Sequence, residues 1–323
     1  MALLGLTFTS LAGAFVLSKF TGVETSIALL YTIPLSILSS AIILPSIGLL
    51  EKEKKDFMVY ESSFSDILGI ISFHLIIGFH EPGGSEGMLS EVGINLLLVI
   101  LLSIIISYVL IYFFQKIKEG AKLFFLLSIL ALLYGIGKVL HFESLILILF
   151  FGVVLNNHTL FFKGKLKNII DEQRVESLID NFKILIGETA FVIRTFFFVL
   201  FGFSIVMAKL FDFEVLYIGL SLVGVIFIVR AVFLLIFTGR NISPLIYLAP
   251  RGLITVLLFM KVQSENIETG ADLSNIDGVL LFVILFSCLI MMYGLIINKK
   301  KEKQKEFSNP QIENPEQELS NQI

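Results

Sequence analysis

Long apolar runs, broken by short polar segments, dominate this chain. A helix needs about 20 apolar residues to cross the hydrocarbon core of a bilayer. Runs at roughly 3–18, 24–48, 57–80, 91–115, 121–137, 143–157, 184–208, 214–237, 242–260 and 275–298 meet or approach that length. They predict an all-α, polytopic integral membrane protein of about ten spans. The first, fifth and sixth are short. The segment 163–183, KGKLKNIIDEQRVESLIDNFK, differs in kind. Its Leu166, Ile169, Ile170, Val175, Leu178, Ile179 and Phe182 recur near helical spacing among charges. That pattern predicts an amphipathic helix on the cytoplasmic face, dividing six spans from four. Beyond 298 the sequence turns polar and rich in Pro, Asn and Gln, which predicts a disordered tail over 299–323.

One predicted span breaks the apolar rule. Phe57 to Phe79 opens with Tyr60-Glu61-Ser62-Ser63-Phe64-Ser65-Asp66. An acidic residue near a helix centre in lipid costs about 2.5–3.5 kcal/mol, and a chain that carries one uses it as an ion or proton site. At 100° per residue, Glu61, Ser65, Ser62 and Asp66 fall within an arc of about 140°. Gly69 and Ser72 extend that arc. The helix is expected to have one small, polar face and one face of Ile, Leu and Phe.

The first three and last three spans form triplets of opposite topology. The middle member of each is interrupted. The second span carries Pro34, Ser36, Ser39, Ser40 and Pro45; the ninth carries Pro244 and then Pro250-Arg251-Gly252. Broken helices at matching positions of inverted repeats point to a transporter site at the midplane. The expected organisation is a first core triplet over 1–80, linker, scaffold and dimerisation helices over 91–208, a second core triplet over 214–298, and the tail.

Composition agrees with a membrane class. The 323 residues are 56% hydrophobic and 16% charged, with a mean hydropathy of +0.92. There are 32 Phe and no Trp, so an interfacial aromatic belt must come from Tyr and Phe. The single Cys288 excludes an intrachain disulfide and a cysteine metal cluster. The opening MALLGLTFTSLAG lacks a basic n-region and does not read as a signal peptide. Charge by location says more than the net −3. With both ends placed in the cytoplasm, only Lys19, Lys138, Lys209 and Lys261 fall outside, and Arg194, Arg230 and Arg251 fall within spans. The rest of the 24 Lys and Arg are cytoplasmic, a strong positive-inside bias. The expected location is a bacterial inner membrane, with the C-terminus cytoplasmic.

Six charges fall inside spans: Glu61, Asp66, Glu188, Arg194, Arg230 and Arg251. They sum to zero, which three structural ion pairs would explain. Asp66, Arg230 and Arg251 all lie roughly 12–14 Å in from the cytoplasmic ends of their spans at 1.5 Å per residue. Their matched depth favours contact. His74 lies on the face opposite Glu61 and Asp66 and is expected to be a lipid- or helix-facing residue.

At these residues the chain resembles the monovalent cation:proton antiporter superfamily, the sodium/proton exchangers. YESSFSD resembles that family's acidic stretch, GETAFVIRTFFFVLFG its Glu-containing Phe-rich segment, IVRAVF the helix with a buried basic residue, and YLAPRGLI its Pro-Arg-Gly element. The resemblance implies that Asp66 binds the cation, that Glu61 and Arg230 form a salt-bridged pair, and that Ser62 lines the site. It sets Arg251 beside the unwound helix, with Glu188 and Arg194 as further supporting charges. Ser39, Ser40 and Ser65 complete the expected oxygen set. It also implies a homodimer in the lipid bilayer, no cofactor and no nucleic-acid partner. The sequence departs from the family in three ways. Ser65 stands where Asn or Asp is usual. Leu38-Ser39-Ser40-Ala41 stands where Thr-Asp-Pro is common, without the acid. And about ten spans are expected where thirteen are usual, with no counterpart expected for the first three.

The implied activity is exchange of Na+ or K+ for H+ by alternating access, with Asp66 holding either cation or proton. Electroneutral exchange is expected, because Ser65 does not titrate and Arg230 stays charged. A channel-like or non-transporting relative is the alternative. An intramembrane enzyme is a weaker one, since HExxH, CxxC and Walker patterns are absent.

Overall fold

The computed structural model describes residues 1–48, 50–80, 88–114, 122–139, 144–157, 172–204, 210–239, 242–264 and 275–308. Among them the regular structure is helical, with no strand. The helices are α1 Ala2–Thr21, α2 Thr25–Ser36, α3 Ser40–Ser46, α4 Lys52–Phe79, α5 Met88–Phe114, α6 Lys122–Val139, α7 Ser144–Asn156, α8 Glu172–Ser204, α9 Phe213–Thr238, α10 Leu253–Ser264 and α11 Ile276–Ser308. A 3-10 turn, Leu245–Tyr247, precedes α10. Six stretches are long and apolar enough to cross a membrane: α1, α2 with α3, α4, Ile186–Phe203 in α8, α9, and Ile276–Lys300 in α11. Four shorter apolar helices, Leu97–Val109, Leu127–Val139, Ile146–Asn156 and Leu253–Ser264, occupy the remaining predicted spans. The chain is an all-α polytopic membrane protein.

Two compact units form, one from Met1–Ile77 with Phe203–Ile323 and one from Gly78–Gly202. In the first, α1 packs on α2 and α9, α2 on α10, and α9 on α11, while the 3-10 turn touches α9 and α11. Its buried apolar centre includes Leu17, Leu30, Ile37, Ile43, Met58, Phe73 and Phe259. Outward-facing α1 and α9 positions such as Leu3, Phe8, Phe15, Leu220, Ile228 and Phe237 are exposed and apolar. That is the surface a helix presents to lipid. In the second unit α7 packs on α5 and α6 around Leu133, Leu147 and Phe151. The Ser103 hydroxyl lies within hydrogen-bond distance of the Val99 and Leu147 carbonyls.

The second span is interrupted as its prolines suggest. Pro34 sits in the last turn of α2, where a missing N–H weakens the ladder. Hydroxyls hold that turn: Ser36 donates to the Thr32 carbonyl at 2.7 Å, and the Thr32 hydroxyl reaches the carbonyls of Ala28 and, on α1, Ser10, each at 3.0 Å. Ile37 then turns extended (φ −73°, ψ 128°), Ser39 is also extended (φ −79°, ψ 97°), and α3 starts at Ser40.

Two expectations differ from the structure in extent. The amphipathic segment and the seventh span were expected as separate elements; from Glu172 the backbone is one helix to Ser204. Extending a formed helix is easier than nucleating a second, and KILIGE between the two carries no proline. Residues 163–171 lie outside the described residues. The tail was expected to be disordered from 299, but α11 stays helical through Ser308. The run KKKEKQKE is built of good helix formers. Residues 309–323 lie outside the described residues.

Candidate functional site

The polar arc of α4 faces inward and the aromatic side faces out. Glu61, Ser62, Ser65 and Asp66 are buried, at 6%, 0%, 2% and 6% exposure, while Tyr60 and Phe64 are 66% and 54% exposed. Four polar groups thus sit where a soluble protein would place Leu and Val. Each needs a partner.

Glu61 has one. The Arg230 guanidinium on α9 meets it side-on, with Nη1 donating to Oε1 at 3.1 Å and Nη2 to Oε2 at 3.2 Å. Arg230 Nε donates to the Leu245 carbonyl at 2.9 Å, and Nη2 approaches the Met58 sulfur at 3.5 Å. All three nitrogens of this buried arginine are used. Such a two-bond fork is the strong geometry for an Arg–carboxylate pair.

Asp66 is treated differently. Its Oδ2 accepts the Ser40 hydroxyl proton, so the first residue of α3 points at the acid. Its Oδ1 is buried and has no hydrogen-bond partner among the described residues. Ser65, next to it, accepts the Leu38 N–H at 3.0 Å. The Ser62 hydroxyl donates to the Met58 carbonyl of its own helix at 2.7 Å.

The two breaks meet beside Asp66. The Ser39 N–H donates to the Pro250 carbonyl at 3.0 Å, joining one unwound segment to the other. Gly252 makes the approach possible: a Cβ there would lie 2.2 Å from Ser39 Oγ and 2.8 Å from Ser39 Cβ. Between Pro250 and Gly252, the Arg251 N–H donates to Ser287 Oγ on α11 at 3.1 Å. Its side chain is only 2% exposed, yet Nε and Nη1 lack partners among the described residues. The local donors at this crossing are hydroxyl, carboxylate and backbone oxygens, a hard set suited to a monovalent cation. No group of three or more His, Cys, Asp or Glu side chains that could hold a metal ion occurs among the described residues.

The structure therefore brings together Ser39, Ser40, Glu61, Ser62, Ser65, Asp66, Arg230 and Arg251. Among the intramembrane charges of the described residues, the one ion pair is Glu61–Arg230, not the three that a neutral sum allows. Glu188 is exposed on α8, and the Arg194 guanidinium lies 5.9 Å from the Phe191 ring centroid. His74 is half-buried, with Nδ1 3.4 Å from Lys261 Nζ on α10. Ser287 was not singled out from the sequence. Its signal was a lone hydroxyl in the run VLLFVILFSCLI. The backbone partners Leu38, Leu245 and Pro250 leave no signal in side-chain chemistry.

A family model described as "Sodium/hydrogen exchanger, transmembrane" matches residues 1–298. Among solved structures, the fold is similar to that of the sodium proton antiporter MjNhaP1 from Methanocaldococcus jannaschii at pH 8. The TM-score is 0.59 and the identity 18%, over 92% of this chain and 76% of that one. The search of curated proteins gave no match.

Proposed function

Since the chain belongs to the sodium/hydrogen exchanger family, we propose that it exchanges Na+ for H+ one-for-one, with Asp66 as the shared site. The observation that supports this reading is Asp66 Oδ1, buried without a hydrogen-bond partner among the described residues, beside the crossing of two broken helices. A buried carboxylate oxygen is costly to leave unpaired, and a proton or a small cation can satisfy it. Na+ on Asp66 would take further oxygens from Ser40, Ser39, Ser62, the unwound backbone and water. A proton on the same carboxylate excludes it. That competition alone couples the two fluxes, and alternating access of the inverted triplets carries whichever is bound.

Exchange in this scheme is electroneutral. Ser65 carries no charge to gain or lose, Arg230 stays charged, and Glu61 is occupied by the Arg230 fork. Asp66 alone changes its load, and both loads carry the same charge. We place the protein in a bacterial inner membrane as a homodimer, with its C-terminus in the cytoplasm.

Proteoliposomes holding a pH gradient test the function. Added Na+ should dissipate the gradient with saturation, and K+ with valinomycin should clamp the voltage without changing the rate. A rate that follows the imposed voltage would overturn electroneutral exchange and favour a channel-like relative.

A further inference from the structure

We propose that Ser65 is a positioning residue, which sets the width of the cation site by fastening the unwound segment 37–39 to α4. The inference deepens the reading of Asp66 as the cation carboxylate and rests on it. The break between α2 and α3 exposes N–H groups that a continuous helix would satisfy. Each finds a partner in a different place. Ile37 N–H turns back to the Pro34 carbonyl at 3.4 Å, and Ser39 N–H crosses to Pro250 at 3.0 Å. Leu38 N–H donates to Ser65 Oγ at 3.0 Å. Both Leu38 and Ser65 are buried, at 6% and 2% exposure, so water does not compete for this bond. The Ser65 lone pair that faces Leu38 is not available to a cation.

The placement gives the bond its consequence. Ser65 and Asp66 are neighbours on α4, about 100° apart around the helix. Ser65 holds Leu38 and Asp66 holds Ser40, two residues further along the break. An extended segment advances about 3.3 Å per residue, so the two contacts fix both the distance and the rotation between α4 and the break. One turn along α4, Gly69 seats Ile37: a Cβ there would lie 2.3 Å from Ile37 Cγ1. The break is thus pressed against α4 at Gly69, tied at Ser65, and only then reaches Asp66. Cation selectivity depends on cavity size and oxygen placement, and the Ser65 tie controls where the Ser39, Ser40 and backbone oxygens stand relative to Asp66.

The test pairs Ser65→Ala with Ser65→Thr in full-length, reconstituted protein, with two readouts. The first is the KM for Na+ and for Li+, whose ratio does not depend on how much protein folds. The second is backbone hydrogen exchange of a peptide covering 37–39, measured in choline buffer with neither cation present. Ser65→Ala should raise the Na+ KM about tenfold, as loss of one buried hydrogen bond predicts. It should also change the Na+/Li+ ratio and speed exchange at 37–39. Ser65→Thr, which keeps the hydroxyl, should restore all three. An unchanged KM ratio in Ser65→Ala overturns the proposal. So does a changed ratio with unchanged exchange, because that is the behaviour of a cation ligand rather than a tie. The exchange readout needs no transport, so an active Asp66→Asn protein would sink the site assignment while the tie at Ser65 is still judged on its own.

Discussion

Glu61 and Asp66 lie on one helix, on one inward face, both 6% exposed, yet they have opposite surroundings. Glu61 is closed: both oxygens are taken by a guanidinium whose remaining nitrogen is also bonded. Asp66 is open: one oxygen accepts a hydroxyl proton and the other has no partner among the described residues. The arginines repeat the contrast. Arg230 is fully bonded, whereas Arg251, between Pro250 and Gly252 at the crossing, has no partner for Nε and Nη1 among the described residues. A buried charge with every bond made resists change, because each alternative costs a bond. One left partly unmet is ready for a ligand or a rearrangement. In this membrane interior, burial and charge do not separate Glu61 from Asp66, and completeness of bonding among the described residues does.

The largest expected effect falls on the open acid. Asp66→Asn is nearly isosteric and can still accept the Ser40 proton, so the protein should fold and keep its thermal stability. Cation-dependent proton movement in proteoliposomes should vanish, since an amide holds neither load. Activity in that variant would remove Asp66 from the mechanism.

The closed pair should respond the other way. Arg230→Ala leaves Glu61 buried and unpaired and should cost about 3–5 kcal/mol of stability. The measurement is a thermal melt of purified protein, with the double variant Glu61→Gln, Arg230→Met alongside. The double variant should recover much of the loss, because neither charge is then orphaned. Wild-type stability in Arg230→Ala would mean that the fork contributes nothing.

Between these two lies the crossing. Gly252→Ala would set a Cβ 2.2 Å from Ser39 Oγ. Forcing a methyl into packed interior costs about 1–3 kcal/mol, and here the strain acts directly on the Ser39 hydroxyl, one of the proposed cation oxygens. The Na+ KM should rise together with a modest loss of melting temperature. A normal KM with a lowered melt would confine the close approach to packing.

Much of this contrast was legible in the sequence, and its limits are physical. Periodicity along α4 put Glu61, Ser62, Ser65 and Asp66 on one face, because helical geometry is local. Pro34 and Pro250-Arg251-Gly252 marked both interruptions for the same reason. Depth along the spans, however, set Asp66 level with both Arg230 and Arg251. Only the family resemblance directed Arg230 to Glu61. Which acid an arginine reaches depends on how neighbouring helices are rotated, and no window of sequence contains that. Ser65 shows the same limit. Its type suggested a site oxygen, while its bond goes to a backbone N–H 27 residues away. The continuity of α8 through Lys183 was hidden because amphipathic and apolar patterns differ across a helix that has no break.

The smallest expected effect belongs to the second arginine. Arg230 on α9 and Arg251 just before α10 are both buried, at 6% and 2% exposure. If burial set their value to the fold, truncating either would destabilise the protein alike. Bonding predicts otherwise. Arg230→Ala breaks a fork and strands a carboxylate. Arg251→Met removes a guanidinium with two unmet nitrogens and strands no acid, since Glu61 is already held by Arg230. The backbone bond from residue 251 to Ser287 Oγ does not involve the side chain and survives. Replacing buried charge with apolar volume is often neutral or stabilising, so Arg251→Met should melt at or above the wild-type temperature. Any change in Na+ KM would then report the loss of the Arg251 charge rather than a loosened fold. A melt lowered as far as in Arg230→Ala would show that Arg251 is bonded as completely as Arg230, and the distinction between closed and open charges would fail where it matters most.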